Sequence, residues 1–222
     1  MELRSIECLE DIHIDTLELD EIESLITHYE NIVKQNKNIN DIKRLKYYSM
    51  NYLQKKYCEN TISVLFELQD NEYNNFTLII KMAPICDVPY SVYFFLKIIE
   101  NWKGGVIHRN AGHVKQFKVF EQNISLAFQE YNSDFPHEQY TCGFAGRPGG
   151  PAFYINTRCN IMNHGPGSQG SKTDADSCFG IINHTDPDII KLLERINKMK
   201  TRDNSGFVNR EQEIRVMSVK II

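Results

Sequence analysis

Excess positive charge, long apolar runs and paired cysteines are all missing from this sequence. Lys and Arg number 25 against 29 Asp and Glu, a formal net charge of −4. Such a balance supplies no basic stripe for phosphates, so nucleic acid is not an expected partner. The first residues, Met1 to Leu25, carry acids every few positions and contain no uninterrupted apolar core of the kind a signal peptide or membrane span needs. A membrane partner is therefore not expected, and a cytoplasmic location is. The six cysteines, Cys8, Cys58, Cys86, Cys142, Cys159 and Cys178, form no CxxC pair and no metal-ligand spacing. Buried free thiols in a reducing compartment are the expectation, with no metal and no cofactor. Internal repeats and low-complexity segments are also missing.

What remains is a chain of 222 residues, 41% hydrophobic, enough for a substantial core. Residues 17–36 place Ile22, Leu25, Ile26, Tyr29, Ile32 and Val33 on one helical stripe, with acids early and Lys34 late, the charge order a helix dipole favours. A weaker amphipathic pattern runs through Ile42, Leu45, Tyr48 or Ser49, and Tyr52 or Leu53. Together these predict a helical hairpin over residues 1–59, too small to stand comfortably alone, that packs on the rest of the chain or on a protein partner.

From Asn60 the pattern changes. ISVLFELQ and FTLIIKMA, separated by the turn-like DNEYNN, predict an antiparallel hairpin. VPYSVYFFLKIIENW returns to helical spacing through Val92, Phe95, Leu96 and Ile99, with Lys103-Gly104-Gly105 as its glycine stop. GVIHRNAGHVKQFKVFEQ predicts strand, turn and strand. DPDIIKLLERINKM is a helix that Asp186 or Asp188 can cap, and EIRVMSVKII is a last strand with Ile214, Val216 and Ser218 on one side. Antiparallel strands with two such helices suggest a closed, helix-capped barrel.

Most of the chain's glycines fall between Tyr140 and Ile182. Ala152 to Ile155 and Cys178 to Ile182 are short apolar runs there, expected as buried strands joined by a long ordered loop. Within it, Gly165 to Lys172 imitates a phosphate loop but misses GxxxxGK[ST] by one residue and precedes no helix. His108, His113 and His164 with Asp174 and Asp176 match no recognised metal spacing. Cys142 near a histidine could suggest thiol chemistry, but it lies in an apolar, strand-like stretch that suits a small core residue.

Taken in order, several of these segments resemble the cyclophilin family of peptidyl-prolyl cis-trans isomerases over about residues 61–222. The first hairpin and the last strand occupy matching places, and AP followed by SVYFFLKI looks like the family's "P.T..NF" segment. IHRNAGHVKQ is similar to "FHR…GF..Q" with one residue fewer, GGPAFYIN to "GSQFFI", and CFGII to "VFGKV". The resemblance implies a mainly β fold, a closed eight-stranded antiparallel barrel capped by two helices, over residues 60–222 with the helical extension before it. It also implies action on X-Pro bonds of proline-containing peptide or protein segments without a cofactor. Arg109 matches the catalytic arginine and Gln116 the substrate-positioning glutamine. Tyr154 takes a phenylalanine position in the proline floor, His113 and Val114 fall where the family has phenylalanine and methionine, and Cys142 takes an alanine position. Asp176 replaces a pocket histidine, Ala152 a glutamine, and the pocket tryptophan has no counterpart.

The chemistry expected of such a site is light. A prolyl nitrogen gains basicity as its amide twists out of resonance, so a guanidinium aimed at it favours the twisted state. A thousandfold acceleration asks for only about 4 kcal/mol. The competing expectation is a module that holds a peptide in the same groove without turning it over, with Arg109 merely paired to an acid such as Asp174 or Asp176.

Overall fold

The structure, a computed structural model, describes residues 14–58 and 61–222. Cys8, together with Glu59 and Asn60 at the expected end of the helical extension, lies outside the described residues.

The frame is a barrel of eight strands: β1 (Ser63–Gln69), β2 (Asn75–Met82), β3 (Gly105–Asn110), β4 (Val114–Val119), β5 (Thr141–Phe144), β6 (Phe153–Asn156), β7 (Cys178–Ile182) and β8 (Ile214–Ile221). All pairings are antiparallel, and the order β1-β2-β7-β5-β6-β4-β3-β8 closes on itself, leaving no free sheet edge. Inside, Phe66, Phe117, Phe144, Phe153 and Phe179 are fully buried and pack ring against ring, with Phe117 and Phe153 stacked at 4.5 Å. Period-2 alternation puts these rings on one face of each strand.

The last strand departs from simple alternation. Glu67 pairs with Ser218 but Leu68 pairs with Val216, so Met217 is an extra residue and the register shifts. Beyond this bulge Val219 and Ile221 turn toward the core, and Ser218, expected on the inner side with Ile214 and Val216, lies on the surface, where its hydroxyl donates to Glu67 at 2.7 Å.

Two helices precede the barrel. In α1 (Leu19–Asn36) the Glu18 N–H donates to the Glu21 carboxylate at 2.8 Å, which fixes the first turn, and the helix stops at Lys37 in a left-handed conformation. Asn38 caps α2 (Ile39–Tyr57) by accepting the Asn40 N–H at 2.8 Å. Their apolar stripes meet through Ile22, Ile26, Tyr29, Leu45 and Tyr48, the two tyrosine rings stacked at 5.5 Å.

The other face of α2 covers α3 (Pro89–Glu100), whose opposite side packs on β7 and β8. That position explains why α3, expected to bury a stripe, is buried nearly all round, with only Lys97 of its central residues part-exposed. Helical hairpin, α3 and barrel interior form one continuous apolar cluster. Buried polar contacts add to it: the Tyr90 hydroxyl donates to Glu30 at 2.9 Å, and Lys46 lies 3.2 Å from the buried Glu130. The end of α3 also differs from expectation. It stops at Asn101, before the glycines, whose side chain caps Lys97 O, while Gly104, with φ +139°, turns the chain into β3.

A short helix α4 (Ile161–His164) lies in the loop between β6 and β7, and α5 (Pro187–Asn197), capped by Asp186, packs on β2. No helix of the described residues is long and apolar enough to cross a membrane.

Candidate active site

Arg109 owes its direction to an irregularity. Ile107 pairs with Phe117, and both face the core; two residues on, Arg109 should share that inward face. Instead Arg109 pairs with Gln116, so His108 is a bulged residue and the register slips by one. The slip swings Arg109 to the outside of the barrel with Gln116. His108 lies against Phe207 at 5.3 Å, and burial, then the charges of Lys118, Arg109 and Arg202, lowers its pKa to about 4.

The guanidinium is held from two sides. Nε donates to the Ser205 carbonyl at 2.7 Å and Nη1 to Gln116 Oε1 at 3.1 Å, while the Phe207 ring lies 5.3 Å from its carbon. Nη2 meets no hydrogen-bond acceptor among the described residues. The hairpin tip is fixed as well: the buried Lys115 ammonium donates to Asn110 Oδ1, and Thr157 N–H and Asn160 Nδ2 both donate to the His113 carbonyl.

Beside Arg109 is a cavity of about 500 Å³ lined by Arg109, His113, Val114, Gln116, Tyr154 and Asp176 together with Ala145, Gly146, Arg158, Asn163, His164 and Gln169. Its floor is apolar, formed by Val114, Tyr154 and Ala145, which with Ala111 make a small cluster separate from the barrel core. Tyr154 reaches this place because it alternates outward between Phe153 and Ile155, and because Gly143 faces it across the strand pair. A Cβ on Gly143 would come within 2.8 Å of the Tyr154 oxygen.

Of the residues expected at the site, Cys142 is not there. It pairs with Ile155 on the inner face of the barrel and is fully buried in the core. In a strand one residue reverses the face, and it is Gly143, opposite Tyr154, that occupies the groove side. Burial also holds the Cys142 thiol well above its usual pKa. The cysteine that does meet a histidine is Cys178. His137 Nε2–H donates to the Asp176 carbonyl at 2.9 Å, since a carbonyl only accepts, which leaves Nδ1 to accept the Cys178 thiol at 3.1 Å. Both side chains are buried, the Cys178 pKa is pushed up to about 12 and that of His137 down to about 4, each first by burial, so the pair is a neutral hydrogen bond and not a thiolate nucleophile.

Behind the floor lies a network that sequence reasoning missed. Asp176 Oδ1 accepts Arg147 Nε at 2.7 Å; Oδ2 accepts His164 Nδ1 at 2.6 Å, Gln169 Nε2 at 3.1 Å and the Tyr154 hydroxyl at 3.2 Å. Burial alone would raise this carboxyl, but the bonds from His164 and Arg147 outweigh it and hold its pKa below the ordinary value. Arg147, not Arg109, is thus the partner of Asp176. Arg147 also donates to the carbonyl and hydroxyl of Ser168, at 2.8 and 2.7 Å, so one guanidinium ties the β6–β7 loop to the groove. The segment that imitates a phosphate loop is clamped by this contact. The sequence signal was slight: a lone arginine among glycines and prolines, 29 residues from its carboxylate.

No protein-family model matches the sequence, and no curated protein matches it. Among solved structures, a cyclophilin type peptidyl-prolyl cis-trans isomerase of Cryptosporidium parvum is similar over 73% of this chain and 98% of its own, with TM-score 0.51 and 12% identity. The chain has the cyclophilin fold. A structure of the Cryptosporidium parvum protein determined in the presence of the dipeptide Ala-Pro aligns over 71% of this chain and 98% of its own, with TM-score 0.49 and 13% identity. At such identities the likeness is one of fold.

Proposed function

We propose that the protein is a cyclophilin-like peptidyl-prolyl cis-trans isomerase acting on X-Pro bonds in flexible segments. The observation that carries this reading is the Arg109–Gln116 pair, bonded at 3.1 Å beside the Val114 and Tyr154 floor. With the Nε–H and one N–H of Nη1 bonded, Nη2 keeps both of its N–H groups for a twisting prolyl nitrogen, and the pinned guanidinium reorganises little as the bond rotates. The Gln116 amide nitrogen, its oxygen spent on Arg109, donates to the substrate backbone. The proline ring rests on Val114 and the Tyr154 ring, with His113 at its side.

A proline-peptide isomerisation assay on the parent and on Arg109→Ala tests this. The expected result is a rate above background that falls roughly a hundredfold in the variant, the scale on which a lost transition-state donor is felt. A parent no faster than the uncatalysed reaction would sink the enzyme reading, and equal rates for both proteins would show that Arg109 is misassigned. The second reading, a peptide-binding module of weak or no turnover, draws support from the buried Asp176 network, which makes the wall behind the floor polar. Peptide affinity without acceleration is its signature.

A further inference from the structure

The cavity beside Arg109 is unbalanced in charge. Its only lining carboxylate, Asp176, is 1% exposed and accepts four hydrogen bonds, from Arg147, His164, Gln169 and Tyr154, so it has little capacity left for a substrate. The two lining arginines, Arg109 and Arg158, have no carboxylate partner among the described residues. Arg158 is exposed at the turn after β6, where it is available to a ligand. His164, 8% exposed, lines the same cavity and is tied through Nδ1 to Asp176. A second imidazole, His113, stacks on it at 5.7 Å. The electrostatic effect is felt at His113, whose pKa is lowered by burial first and then by His164, Arg109 and Arg158. A peptide side chain that enters here meets donors and unpaired positive charge, which penalise a cation and favour an anion.

We propose that the groove selects proline segments with an anionic side chain, carboxylate or phosphate, next to the proline, and that Arg158 is the residue that reads it. This inference rests on the reading of the groove as a proline-peptide site. Arg158 is here a specificity residue; Arg109 remains the group that acts on the prolyl bond.

The test is fluorescence polarisation with labelled peptides Ala-Ala-Xaa-Pro-Xaa-Ala, Xaa being Glu, phosphoserine, Gln or Lys, each paired with a version in which Ala replaces Pro. At low salt the Glu or phosphoserine peptide should bind about tenfold tighter than the Gln peptide, the size of one charge-assisted hydrogen bond, with Lys weakest. Arg158→Gln, an exposed change, should bring the anionic peptide to within about twofold of Gln, and salt should erode the parent's preference. A preference for Glu assigns the carboxylate source and one for phosphoserine alone the phosphate source. Equal binding of Gln and anionic peptides, or a preference that survives Arg158→Gln, overturns the inference. If Gln-Pro then binds and Gln-Ala does not, the proline reading stands without it. If anionic peptides bind equally well with Ala in place of Pro, it is the proline reading that falls, and if no peptide binds, both fall.

Discussion

Strand β6 divides two environments built by opposite rules. Phe153 and Ile155 face the barrel interior, fully buried among Phe66, Phe117 and Phe179, where apolar area and close packing supply the stabilisation. Tyr154, between them, faces the groove, equally dry but tied through its hydroxyl to Asp176, which also holds Arg147, His164 and Gln169. The inner face depends on shape, and many apolar side chains satisfy it. The outer face depends on each donor finding its acceptor, and one wrong residue leaves a buried charge unpaired. This difference explains how a barrel can be retained at 12% identity.

The sharpest way to break the comparison is to cut into each face. Phe153→Ala removes a ring that touches Phe66, Phe95, Phe117 and Phe179 and should lower the unfolding free energy by about 4 kcal/mol in urea titrations. A loss under about 1 kcal/mol would mean that the core closes over the cavity and is not jigsaw-packed.

Asp176→Asn should cost somewhat less, about 3 kcal/mol, because it leaves the Arg147 guanidinium, 14% exposed, without its anion. The pH dependence gives the sign. A folded carboxyl with a lowered pKa contributes its stability above the ordinary value of about 3.9 and loses it as pH falls through the lower folded value. The gap between parent and variant should therefore be full at neutral pH and shrink below about pH 4. Urea midpoints across that range check it, and a gap that is the same in acid would remove the charge from the explanation.

Tyr154→Phe is the mildest cut. It keeps the ring on the floor and removes one of four hydrogen bonds to Asp176, so about 1 kcal/mol of stability should go. If the proposed site is right, proline peptides should bind at least as well to the more apolar floor. A loss of peptide affinity would instead give the hydroxyl a direct role.

How far the sequence could be read follows the same division. The β1–β2 hairpin, α1, α2, α5 and the strands around Phe153 and Phe179 were visible because period 2 and period 3.6 are local signals carried by apolar residues. The bulges at His108 and Met217 were not, because register belongs to a pair of strands and not to one. Which of the neighbours Cys142 and Gly143 faces the groove is likewise decided by the strand pairing of β5 with β6. Arg109, Gln116, Val114, Tyr154, His113 and Asp176 were reached through motif resemblance, and all six line one cavity. Arg147, Arg158, His164 and Gln169 had no motif to mark them.

By itself the sequence determined the alternation of elements, the apolar faces and hence a closed barrel with helices, since burial patterns are written residue by residue. Only the tertiary structure decided that the helical hairpin shares the barrel's core through α3, that a bulge turns Arg109 outward, and that Arg147 neutralises Asp176. Each of those is a meeting of residues distant in the chain, and a charge or a strand face takes its meaning from the partner it meets.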